Sequence, residues 1–108
     1  MGLFFWNRQS KRVEAFAMEL ASDFFGQVSP EALAGFFQDE RLDQKTRKRI
    51  DAQMQNLVLR LSQFKQLHKL GVYGKAKFHQ VFIGRLEELG YDAEAIRKLN
   101  TLLMLKTP

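Results

Sequence analysis

His68 and His79 are the two side chains of this chain best suited to proton transfer or metal binding near neutral pH. Both lie in the 35 residues from Ala52 to Leu86, a stretch without Asp or Glu. A catalytic histidine needs a carboxylate to orient it, and none is near in sequence. Two histidines without cysteine make a poor zinc set, and the chain has no Cys. That also removes disulfides and thiol nucleophiles. Glu87 and Glu88 are neighbours on a helix, so they project in different directions and form no acid–base pair. The expectation is a protein that is not an enzyme, with no cofactor, no metal and no small-molecule substrate.

The junction Lys69-Leu70-Gly71-Val72-Tyr73-Gly74-Lys75-Ala76-Lys77 invites a phosphate reading. A helix N-terminus offers free N–H groups and a positive dipole end, and the lysines add charge. A P-loop requires Gly five residues before its Gly-Lys pair and Ser or Thr after it. Lys69 and Ala76 hold those places, so the junction reads as a helix stop and start that use glycine dihedrals. A helix-turn-helix fits the short Gly-containing turn, with Lys75, Lys77, His79 and Gln80 opening the second helix. Against it stand the length of the preceding helix, the wide apolar face of the following one and the lack of Arg in its first turns.

Charge along the chain is lopsided. Residues 44–86 carry ten Lys or Arg against Asp51 alone, within a chain of net charge +5. Such a field biases encounter with anions. Arg47, Lys48, Arg49, Lys65, Lys69, Lys75 and Lys77 are the candidate anion-binding residues, and nucleic acid is the polyanion they would serve. The competing reading is a solvated basic face.

The elements that must position these residues are helices throughout. Val13, Phe16, Ala17, Leu20 and Phe24 recur at spacings of three and four, and Gly26 reads as the stop. Ser29-Pro30-Glu31 is a helix start. From an Asp43 cap, Ile50, Met54, Leu57, Leu61, Phe64 and His68 form a heptad-like seam over 44–70. A helix follows with Phe78, Val81, Phe82, Leu86 and Leu89 apolar, ended by Gly90. Asp92 then caps a last helix with Ile96, Leu99, Leu102 and Leu103 inward. The fold class is all-α: a single domain over 1–108, a bundle of four or five helices around the long one.

Leu59, Leu67 and Leu70 lie off the main seam, which marks them as partner-binding residues for a homodimer or a client helix. A protein-interaction or self-association module is the first functional expectation, with nucleic-acid or polyanion binding as the alternative. Leu3-Phe4-Phe5-Trp6, followed by Arg8, Lys11 and Arg12, has the composition of a membrane-surface anchor. Packing of these aromatics onto the bundle is the preferred reading, so a membrane partner is not expected. The short apolar opening and the absence of a long apolar run point to a cytoplasmic protein.

Leu70-Gly71-Val72-Tyr73-Gly74-Lys75-Ala76, with a helix ending Leu89-Gly90-Tyr91, resembles a pattern in a group of small bacterial helical proteins without assigned activity. The resemblance implies a bacterial origin and carries over no functional residue.

Overall fold

The computed structural model describes residues 2–38 and 41–107, with side chains from Arg8 onward. It is an all-α bundle of five helices: α1 (Gly2–Gln27), α2 (Pro30–Phe37), α3 (Gln44–Leu67), α4 (Val72–Glu88) and α5 (Ala93–Lys106). The expected packing of Leu3-Phe4-Phe5-Trp6 lies outside the described side chains.

Local chemistry accounts for most of the boundaries. Ser29 Oγ accepts from the Ala32 N–H at 3.1 Å, and Asp43 Oδ1 from the Thr46 N–H at 3.3 Å. Asp92 Oδ2 accepts from the N–H groups of Glu94 and Ala95 at 3.1 and 3.2 Å. Each oxygen satisfies a donor that the first helical turn leaves open. α4 ends on Gly90, whose φ of 96° is open to glycine and strained for other residues. The Gly90 N–H donates to Glu87 O and the Tyr91 N–H to Leu86 O, both at 3.1 Å, which folds the buried Tyr91 back over the helix end.

Two stops differ from the sequence reading. α1 runs past Gly26 to Gln27, because the Val28 N–H bonds to Phe24 O at 2.8 Å and the Val28 side chain is buried. α3 ends at Leu67 rather than at residue 70, and the left-handed position falls on Lys69 (φ 48°), not on Gly71. There the Leu70 N–H donates to Lys65 O at 3.1 Å and the Lys69 N–H to Gln66 O at 3.3 Å. These two bonds turn Leu70 inward.

The helices lie side by side in a body of 53 × 24 × 20 Å. α1 and α3 are antiparallel, since Gln9 meets His68 while Asp23 meets Arg60 at the other end. α4 runs parallel to α1, with Lys77 beside Glu14 and Tyr91 beside Phe24. α5 returns against α4, where His79 meets Asn100. The Phe16 ring stacks on Phe64 at 4.0 Å and tilts against Phe78 at 5.8 Å, tying α1, α3 and α4 together. Such ring pairs each add about 0.5–1.5 kcal/mol beyond the area they bury. One core unites Val13, Leu20 and Phe24 of α1 with Leu57 and Leu61 of α3, Phe78 and Phe82 of α4, and Leu99 and Leu103 of α5. This packing brings the C-terminal ends of α3 and α5, the N-terminal end of α4 and the early turns of α1 to one end of the body.

Candidate functional site

Lys65 was expected on a basic surface and is instead buried. Its Nζ donates to Thr107 O at 2.5 Å and to Thr107 Oγ1 at 2.9 Å. The Thr107 hydroxyl donates onward to Leu103 O at 2.5 Å. The ammonium thus fastens the end of α3 to the end of α5. Burial first, and then the charge of Lys75, hold its pKa below the ordinary lysine value. Lys65 belongs to the framework and is removed from the anion-binding set.

The other candidate cations are not brought into one patch. Arg47 lies over the Phe36 ring at 5.7 Å from its centroid, joining α3 to α2. Lys48 and Arg49 are exposed on the adjoining turn. Lys69 lies in the turn just past the far end of the same helix, about 30 Å away at 1.5 Å per residue. Lys77 pairs with Glu14 at 3.6 Å, and Lys75 is half-buried beside it. α4 cannot act as a recognition helix either, because it lies between α1 and α5 with Phe78, Phe82 and Leu86 buried.

His79 is half-buried, and its Nδ1–H donates to Asn100 Oδ1 at 2.6 Å. Burial, partly offset by Asn100 and reinforced by Lys65, lowers its pKa. His68 Nδ1 accepts from Arg12 Nη1 at 3.2 Å, while the Gln9 side-chain amide donates to His68 O at 3.1 Å. Both histidines therefore hold helices together. Among the described residues, no three His, Asp or Glu side chains gather as a metal set.

The three partner-binding leucines part company. Leu70 is 7% exposed and belongs to the core, where it also touches Gly74: a Cβ there would meet Leu70 Cδ2 at 3.1 Å. Leu59 is 57% exposed and lines a groove of about 460 Å³ between α3 and α5. Met54, Val58 and Leu102 supply its apolar lining, with Asp51 toward one end and Lys106 toward the other. Leu67, 77% exposed, stands at the end of the body with Val72 (80%), Tyr73 (79%) and Leu105 (76%). It borders a cavity of about 330 Å³ lined also by Arg8, Gln9, Arg12 and His68.

Sequence reasoning missed Met54, Val58 and Leu102 as groove residues because each falls on or near a core stripe. It also missed Val72 and Tyr73. Their signal was present: two consecutive apolar residues at a helix start, off the stripe set by Phe78 and Phe82. No family model, curated protein or solved structure matches the chain.

Proposed function

We propose that the protein is a non-enzymatic helical interaction module that pairs with a second copy of itself through the α3–α5 groove. The observation that carries this reading is Leu59, more than half exposed beside an apolar groove that Met54, Val58 and Leu102 line. Burying a leucine side chain contributes roughly 1.5–3 kcal/mol, and a two-fold contact counts it twice.

Charge supports a second copy as the occupant, and the area suits a weak pair. Asp51 and Lys106 mark opposite ends of the groove. A two-fold axis near Leu59 sets each Asp51 against Lys106 of the other copy, so the surface is complementary to itself. Two helices side by side, each about 10 Å across, present roughly 570 Å² when α3 has 24 residues and α5 has 14. That is below the ~800 Å² per partner of a standard specific interface and in the range of weak pairs. Micromolar pairing is the corresponding expectation.

Sedimentation velocity across the micromolar range tests it. The mass should rise from 12.6 kDa toward twice that value with concentration. Leu59→Glu should hold the lower mass with unchanged helical circular dichroism. A wild-type chain that stays monomeric at about 200 µM, far above the expected dissociation constant, contradicts the proposal.

A further inference from the structure

The four large apolar side chains at least 76% exposed among the described residues all lie at one end: Leu67 closes α3, Val72 and Tyr73 open α4, and Leu105 is in the last turn of α5. Apart from the buried Lys65 and the groove's Lys106, the parts of the chain that meet there, residues 8–14, 62–80 and 104–107, hold six Lys or Arg and one acid, Glu14. Glu14 is itself occupied by Lys77. Arg8 and Arg12 are exposed and line a cavity with Leu67, Lys69 is exposed on the turn that leads to Val72 and Tyr73, and Lys11 is exposed on the same stretch of α1 as Arg8 and Arg12.

We infer that this end docks onto an anionic lipid bilayer, with Leu67, Val72 and Tyr73 entering the interface and the surrounding cations facing the headgroups. Each part of the surface has a use in that setting. Tyrosine is favoured at headgroup level, where its ring is apolar and its hydroxyl stays wet. Lys and Arg lay their carbon stems along apolar surface and keep the charge among phosphates. A bilayer needs no matching shape, and these residues stand out from the end rather than lining a deep pocket.

The charge pattern separates a bilayer from the other macromolecules. A protein partner usually meets charges of both signs, whereas this end presents almost one sign only. Nucleic acid would use the cations through its phosphates but has little use for exposed leucine and valine. A peripheral site that combines apolar insertion with several basic residues meets the two-signal requirement for lasting attachment. The residues named for this contact, Leu67, Val72 and Tyr73 with Arg8, Lys11, Arg12 and Lys69, do not line the α3–α5 groove. No described helix is long and apolar enough to cross a membrane, so the mode is surface docking.

Co-sedimentation of the full chain with vesicles provides the test, using phosphatidylcholine alone and phosphatidylcholine with about 30% phosphatidylserine. Binding is expected to the anionic vesicles only, weakening roughly fivefold for each basic side chain removed and falling with salt. Val72→Glu with Tyr73→Glu should abolish it. Acids in the first turn of α4 suit the helix dipole, so this variant keeps its fold, as an unchanged melting temperature would verify. Leu59→Glu should bind as the wild type does, so failure of the groove reading and failure of this one are distinguishable. Equal binding to neutral vesicles, or anionic binding that survives the double substitution, overturns the inference. So does retention of a duplex DNA or RNA probe with no vesicle binding, which would make nucleic acid the anionic partner.

Discussion

Reversing the charge of Lys65 separates a framework lysine from a ligand-binding one. In the structure its ammonium is buried and donates to both oxygens of Thr107. Lys65→Glu would place a carboxylate against the Thr107 carbonyl and leave both Thr107 oxygens without that donor. Breaking a buried charged contact in this way costs about 3–5 kcal/mol. A domain of this size has about 5–15 kcal/mol in total, so the melting temperature should fall by roughly 15–25 °C, or the chain should fail to fold. Lys65→Met keeps an unbranched side chain one atom shorter, loses the hydrogen bonds and also loses the cost of burying the charge. These changes nearly offset each other, leaving the variant within about 1.5 kcal/mol of wild type. Thermal melts by circular dichroism read both. If Lys65→Glu melts within about 3 °C of wild type, as an exposed position would allow, the burial of Lys65 and its tie to α5 are refuted.

Three further outcomes follow from the helix ends and the buried imidazole. Lys69→Gly relieves a left-handed residue, at about 1–2 kcal/mol less the added flexibility of glycine, and should raise the melting temperature by a few degrees. Gly90→Ala, at φ 96°, should lower the urea midpoint by an amount equivalent to about 1–2 kcal/mol. His79 has a folded pKa below its ordinary value, so as pH falls the unfolded chain takes up the proton first. Stability should therefore decline from the ordinary histidine pKa downward through the lowered one. His79→Gln, which can keep a bond to Asn100, should flatten the change in melting temperature between about pH 7 and pH 5. An unaltered slope in that variant would assign the acid sensitivity to other groups.

The legible parts of this fold are those fixed within a few residues. Ser29-Pro30, Asp43, Asp92 and Gly90 announce helix ends because the capping bond or left-handed turn needs that residue type. Lys69 gave no such sign, since nothing in a lysine marks it for positive φ, and Gly71 two positions later drew the stop to itself. Leu70 could not be told from Leu67 by helical phase, because the turn between them redirects Leu70 into the core. Lys65 was legible as charge but not as a buried tie, because its partner Thr107 lies 42 residues away in sequence. The groove and the apolar basic end depend on how α1, α3, α4 and α5 converge, and no local pattern encodes that convergence.

The central claim, two copies paired about a two-fold axis across the α3–α5 groove, is tested most directly by exchanging its two end charges and measuring mass by sedimentation equilibrium. Asp51→Lys alone sets lysine against Lys106 of the second copy, and Lys106→Asp alone sets two aspartates together. Each single variant should dissociate at concentrations where the wild type is paired, and the double variant should pair again. Loss of pairing in the double variant as complete as in either single one, or no loss in any of them, would contradict the proposed arrangement.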